Sequence, residues 1–326
     1  MSTNAKSILS VAKFRHLTEC SNRHGDFNIL AIDHRDNLVA EMQKQSGFKV
    51  DYSAVVSFKR SVIRHLSSHA TAVLTDPDYG FPAILDGALP GNIGLIAPLE
   101  VTNYTPHPSK RITTLIPGWD VAKLKATGCS GAKLLLYFHP GAANAASQTA
   151  LVDSIVEQCQ KYDVPFFLEP VGYSLDPAQP LSSNERRQVV VESARHFSTR
   201  GIDILKVEFP LDVAQEVDEN VWRDALQELD SACYVPWTLL SGGVSFETFL
   251  RQTELACAAG ASGVMVGRAV WAEATALHGK ARDHFLSTTG VERMAQMAAV
   301  CSTGSPWMKR HTPPPIDEGW YKEAGT

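Results

Sequence analysis

Several common signatures are missing from this 326-residue chain. Its six cysteines, at 20, 129, 159, 233, 257 and 301, include no Cys-x-x-Cys pair. That pattern speaks for reduced thiols and against a disulfide framework or a zinc knuckle. The eleven histidines form no His-x-His or His-Glu-x-x-His spacing, so no metal and no cofactor are expected. No apolar run reaches the roughly 18 residues a membrane span requires, and the N-terminus lacks a signal-peptide core. The expectation is a cytoplasmic protein with no membrane partner. No Lys/Arg run occurs, and the formal charge is −5, which speaks against a nucleic-acid partner. An anionic ligand must therefore be held by specific local groups. Gly-x-Gly-x-x-Gly and P-loop patterns are absent too, and no linker-like stretch divides the chain. Its oligomeric state stays open, a homo-oligomer included.

What is present is alternation. Hydrophobic residues make up 44% of the chain, ordinary for a globular protein. Short apolar runs read as strands at 28–33, 70–74, 94–100, 132–138, 165–171, 203–210, 236–241 and 262–267, with helical spacing between them. Between the first two, for example, Val55, Phe58, Val62, Ile63 and Leu66 recur at helical intervals. Ser245 is placed to cap a helix that Gly260 would stop. Eight strands alternating with helices predict an α/β (β/α)₈ TIM barrel, with a doubly wound open sheet as the runner-up. The expected organisation is an N-terminal helical extension over 1–24, one barrel domain over 25–303 and a Pro-rich C-terminal tail over 304–326.

Asp203–Pro210, DILKVEFP, is the stretch with the clearest chemistry. Lys206 and Glu208 stand two apart in a short apolar strand, so both point to one face. Burying an ammonium costs several kcal/mol unless it is paired or neutralised. One reading is a Schiff-base lysine whose neutral amine attacks a ketone. The other is a structural Lys–Glu pair with Glu208 as partner. The strand alone leaves both open.

Barrel active sites gather at the C-terminal strand ends. Charged or polar residues stand at or near these ends in all eight predicted strands: Asp33 and Arg35, Asp76, Glu100, Lys133, Glu169, Lys206 and Glu208, Ser241, and Arg268. Lys133 and Glu169, on neighbouring strands, are expected to approach Lys206. Two close ammonium groups disfavour each other's charge, which would poise an amine nearer neutrality. Glu169 would then serve as acid and base; its alternative is a salt bridge to Lys133. The SGGVS and VGRAV segments follow the last two strands. Glycines there let backbone N–H groups approach an anion, and Arg268 would add a charge-assisted donor, so phosphate binding is expected at Ser241, Gly242, Gly243, Gly267 and Arg268. Arg35 either holds a second anionic group across the mouth or pairs with Asp36. Tyr79, Tyr104, Tyr137, Tyr173, His34, His107 and His139 are read as core or rim residues first.

The segments AIDHR, LTDPDYG, GAKLLLY, FFLEP, DILKVEFP, LLSGGVS and GVMVGRAVW give the chain a family likeness. From about Ile29 to Trp271 it resembles the class I, metal-independent tagatose-bisphosphate aldolases and the related sulfofructose-phosphate aldolases. LTDPDYG looks like the first branch, whereas LEPV and PWTLLSGGV look like the second. Two departures stand out: His34 replaces the glutamine of the usual Asp-Gln-Arg, and EVTNY stands where Glu-Lys-Thr-Gly-Tyr is usual. The resemblance implies a Schiff base on Lys206, with Lys133 and Glu169 as the strand-four lysine and strand-five carboxylate. It also implies substrate contacts from Asp33 and Arg35, and phosphate loops at 241–243 and 267–268. The implied reaction is cleavage of a small-molecule sugar phosphate, a phosphorylated ketohexose, to dihydroxyacetone phosphate and an aldehyde. Tagatose 1,6-bisphosphate is the first choice and sulfofructose phosphate the second. A barrel isomerase or decarboxylase using Lys206 without a covalent intermediate is an alternative, as is a non-catalytic sugar-phosphate sensor.

Overall fold

The computed structural model describes residues 6–46, 49–102 and 106–322. A two-residue strand, β1 (Ser7–Ile8), and helix α1 (Val11–Glu19) precede the barrel. The barrel itself is β2 (Phe27–Ala31), β3 (Ala72–Leu74), β4 (Gly94–Pro98), β5 (Gly131–Tyr137), β6 (Phe166–Val171), β7 (Ile204–Val207), β8 (Trp237–Leu240) and β9 (Gly263–Val266), closed in chain order. Helices α2 (Asp36–Ser46) and α3 (Tyr52–Leu66) follow β2. Then α4 (Gly80–Ile84), α5 (Val121–Ala126), α6 (Ala145–Lys161), α7 (Ser183–Phe197), α8 (Glu219–Ala232) and α9 (Phe246–Ala259) follow β3 to β8 in turn. After β9 come α10 (Arg268–Trp271), α11 (Gly279–Phe285) and α12 (Val291–Cys301). Among the described residues no helix is long and apolar enough to cross a membrane.

The eight expected strands are β2 to β9, and β2 pairs in parallel with both β3 and β9. That closure removes the open-sheet alternative. It needs glycine at 263, where φ is +127° and a Cβ would lie 1.9 Å from the Phe27 carbonyl oxygen; only a residue without a side chain allows so close an approach. Several strands stop a residue or more short of their apolar runs. The sixth is Ile204–Val207, so Glu208 falls just outside the ladder.

Strand alternation sorts the side chains into two shells. Leu30, Val73, Leu134, Leu168, Leu205 and Leu239 face outward onto the helices. Ile29, Ala31, Leu74, Ile96, Phe167 and Ile204 fill the barrel axis. Continuing inward parity toward the C-terminal ends reaches Asp33, Glu100, Lys133, Glu169 and Lys206. The barrel is thus apolar below and charged above.

The N-terminal end is plugged. Ser10 caps α1 by accepting from Lys13 N–H, and Leu17 and Cys20 pack beneath the axial residues. The first part of the stretch expected as a C-terminal tail packs against the barrel. Trp307 is fully buried against Phe14, ring centroids 5.0 Å apart, and β10 (His311–Thr312) pairs with β1. Burying a tryptophan and pairing the backbone hold this stretch to the barrel floor; the described residues from Pro313 onward are largely exposed. Lys13 Nζ lies 2.8 Å from Asp203 Oδ2, both buried. Asp203 also accepts from Phe166 N–H at 2.8 Å, and its carbonyl bonds His311 Nε2 at 2.7 Å.

Breaking that pair from one side strands a buried carboxylate. Lys13→Met should therefore cost about 3–5 kcal/mol in urea unfolding. Turnover per folded molecule should be unchanged, because the pair lies at the end of the barrel opposite the site described next.

Candidate active site

Five charged side chains converge inside the C-terminal half of the barrel. Lys133 enters from β5, with Nζ 2.7 Å from Glu100 Oε1, 3.0 Å from Asp33 Oδ2 and 2.9 Å from Glu169 Oε2. Lys206 enters from β7, its Nζ also 2.9 Å from Glu169 Oε2. The strand registers explain the meeting: Phe167 pairs with Ile204 and Leu168 with Leu205, so Glu169 and Lys206 come level. One carboxylate oxygen thereby lies 2.9 Å from two lysine nitrogens, with hydrogen-bond geometry to neither.

Burial alone would raise the pKa of Asp33 and Glu169, but Lys133 and then Lys206 outweigh it and hold both below their usual values. Glu100 goes the other way: burial raises its pKa, and Lys133 offsets this only in part. Its Oε2 is buried with no hydrogen-bond partner. Burial would lower Lys133, yet Asp33, Glu100 and Glu169 together raise it well above the ordinary lysine value. Lys133 is therefore not an amine poised near neutrality. Three carboxylates surround it and keep it an ammonium.

Lys206 is paired with Glu169, not with Glu208. Glu208 turns to the loop after β6, accepting from Gly172 N–H at 2.8 Å and meeting Arg186 Nη1 at 3.2 Å. Arg35 is buried and does not pair with Asp36. Its Nη2 donates to the Glu100 carbonyl at 2.5 Å, and its Nη1 lies 3.6 Å from Asp78 Oδ2. Asp36 instead accepts from Thr102 Oγ1 at 2.8 Å. Asp76 is not open to the mouth either: it is fully buried in an ion pair with Lys59 of α3.

The loops after β8 and β9 do meet. Gly242 and Gly243 have φ of +56° and +86°, a turn that glycine adopts without strain. A side chain at 243 would also press on the Arg268 guanidinium, 3.2 Å from Nη2. Ser241 closes the same turn, its carbonyl accepting from Val244 N–H, and Gly267 leads into α10. A cavity of about 270 Å³ lies here, with His34, Gly243, Arg268 and Trp271 among its walls. Lys206 and Glu169 are not part of that wall.

His34 separates the two regions. Its ring meets Trp271 edge to face at 5.2 Å, and its Nδ1 is 3.8 Å from Asp33 Oδ1. Burial, with Arg268, Lys206 and Lys59 nearby and Asp33 opposing, pushes its pKa down to about 3, so the imidazole is neutral at physiological pH. It is a wall residue, not merely packing. His139 and His107 make local turn contacts, with Gly141 N–H and Ser109. Tyr137 is buried under Arg111, and Tyr173 donates to Asn144 Oδ1. Tyr79 is tilted against Tyr52. Tyr104 lies outside the described residues.

Sequence reasoning missed Lys59 and gave Glu100 no role. A signal for Lys59 existed: it continues the stripe Val55, Val62, Leu66 on the apolar face of α3, where a lysine has no surface to reach. Glu100 gave none, because its partner Lys133 is 33 residues away.

The sequence profile of the DeoC/LacD family aldolases matches residues 27–273. Tagatose 1,6-diphosphate aldolase 2 of Streptococcus mutans is 31% identical, the alignment covering 93% of this chain and 98% of that protein. Tagatose 1,6-diphosphate aldolase of Lactococcus lactis is 29% identical, covering 92% and 98%. Among solved structures, an archaeal fructose 1,6-bisphosphate aldolase superposes with a TM-score of 0.61 at 18% identity, covering 90% of this chain and 100% of that one. Fructose-bisphosphate aldolase from Slackia heliotrinireducens gives 0.63 at 15% identity, covering 89% and 90%. These two likenesses bear on the fold, and the family match bears on the chemistry. The chain belongs to the DeoC/LacD family of class I aldolases and is a lyase.

Proposed function

We propose that this aldolase cleaves tagatose 1,6-bisphosphate to dihydroxyacetone phosphate and an aldehyde through a Schiff base on Lys206. The supporting observation is the shared oxygen: Glu169 Oε2 lies 2.9 Å from both Lys206 and Lys133. Attack on a carbonyl needs the free amine, and Glu169 is the group in contact that takes the ammonium proton. The amine then adds to the C2 ketone. Glu169 returns the proton to the carbinolamine oxygen, water leaves, and a protonated imine remains.

The imine is an electron sink for C3–C4 cleavage. Glu169, an ionised base again, takes the C4 hydroxyl proton as that bond breaks and the aldehyde departs. Glu169 returns that proton to C3 of the enamine, and water hydrolyses the imine, freeing dihydroxyacetone phosphate and Lys206. Lys133 stays an ammonium throughout. It supplies fixed positive charge that keeps Glu169 ionised and turned toward Lys206, a preorganised electrostatic role. The glycines at 242, 243 and 267 with Arg268 hold a phosphate in the cavity beside His34, while Asp33 offers its outer oxygen to a substrate hydroxyl. The choice of tagatose rests on the relatives named above.

Borohydride added with dihydroxyacetone phosphate should leave a reduced adduct on Lys206, visible in intact-protein and peptide mass spectra. Lys206→Met should show neither adduct nor turnover. An adduct on Lys133 would overturn the assignment. Glu169→Gln should lower kcat by about 10²–10⁴-fold, the usual range for a lost acid–base group, with unfolding measured in parallel to show the fold intact. Tagatose 1,6-bisphosphate should exceed fructose 1,6-bisphosphate and sulfofructose phosphate in kcat/KM. Arg268→Ala should raise KM for the bisphosphate far more than for a substrate without that phosphate. A reversed substrate order would reject tagatose, and equal losses would remove Arg268 from phosphate binding.

A further inference from the structure

Lys59 takes no part in the scheme above, yet its side chain and that of Asp76 are both fully buried. It lies on α3, outside the barrel, and its Nζ reaches two strand ends at once. It donates to the Ile32 carbonyl at 2.7 Å and pairs with Asp76 Oδ2. The Ile32 carbonyl belongs to the peptide bond that carries Asp33. The other oxygen of Asp76 accepts from the N–H groups of Asp78 at 3.1 Å and Tyr79 at 2.8 Å. That turn presents Asp78 to Arg35, 3.6 Å away.

Stability alone gives little reason for such a pair. Buried ion pairs can often be replaced by apolar residues of similar size at no loss, and Lys59 sits on an otherwise apolar stripe where leucine or methionine would pack. What an apolar residue cannot do is hold the Ile32–Asp33 peptide and the 76–79 turn in one geometry. The consequence reaches the reacting nitrogen in few steps. Asp33 bonds Lys133 at 3.0 Å, Lys133 touches the Glu169 oxygen at 2.9 Å, and that oxygen touches Lys206.

We propose that Lys59 is a positioning residue: through the Ile32 carbonyl and the Asp76 turn it fixes Asp33 and the Arg35–Asp78 contact at the mouth of the barrel. The proposal rests on the Schiff-base reading of Lys206 and adds a residue that touches no substrate. A displacement of about 1 Å in a reacting array costs roughly 10²-fold in rate.

The test uses Lys59→Met and the double variant Lys59→Met/Asp76→Asn. The single variant leaves Asp76 a buried, unpaired carboxylate and should lower Tm. The double variant removes that charge, keeps an oxygen for the Asp78 and Tyr79 N–H groups, and should regain most of the Tm. Turnover of tagatose 1,6-bisphosphate is then counted per site that borohydride traps with dihydroxyacetone phosphate. Trapping at Lys206 should persist in both variants, while turnover per trapped site falls about 10- to 100-fold in both. A merely structural lysine would lower Tm and leave turnover per trapped site at the parent value; that result overturns the proposal. Full recovery of both quantities in the double variant overturns it too. If the unsubstituted protein traps nothing, the Schiff-base reading fails first and this proposal falls with it.

Discussion

The ammonium of Lys133 is the charge on which the upper half of the barrel depends. Three carboxylates from three different strand ends face one another there, and without a cation between them their repulsion and desolvation would be prohibitive. Asp33, Glu100 and Glu169 all lie within 3.0 Å of its nitrogen. Asp33 and Glu100 each meet it with one oxygen, while Glu169 places its Oε2 between Lys133 and Lys206. In the proposed scheme Lys133 stays charged and turns Glu169 toward Lys206, the lysine that gives up its proton.

The barrel divides its work along its axis. At the N-terminal end apolar residues, α1 and the returning segment around Trp307 make a largely apolar floor, with the buried pair Lys13–Asp203 in it. At the C-terminal end the same strands carry charge. On three strands the change occurs within two residues: Ile204 to Lys206, Phe167 to Glu169, Ala31 to Asp33. Parity keeps all of them on the axis, so the floor's packing fixes the depth at which the charges meet. Outside this array two helices reach in to the strand ends with ion pairs, Lys59–Asp76 from α3 and Arg186–Glu208 from α7.

Much of this was legible along the chain. The strand–helix alternation identified the barrel, and Lys206 stood out as a charge in an apolar strand. Glu169 and the glycine-rich loops were legible for the same reason, since strand ends in a barrel share one mouth. Partners were harder. Glu208 is two residues from Lys206 and looked like its counter-ion, but the strand stops at Val207 and Glu208 is drawn to Gly172 and Arg186. Asp76 looked like a mouth residue because it follows a strand, while Lys59, one helix earlier, claims it. Trp307 and His311 lay in a Pro-rich stretch that composition marks as a tail.

By itself, the sequence determined the set of strands and the shared inward face of Asp33, Lys133, Glu169 and Lys206. These follow from local periodicity, a property of neighbours along the chain. Only the tertiary structure decided which charge neutralises which. Pairing depends on register between strands, on where each strand ends and on which helix lies across them, and those distances are set by closing the barrel. Lys133 is bound to Asp33, 100 residues away, and no local pattern carries that information.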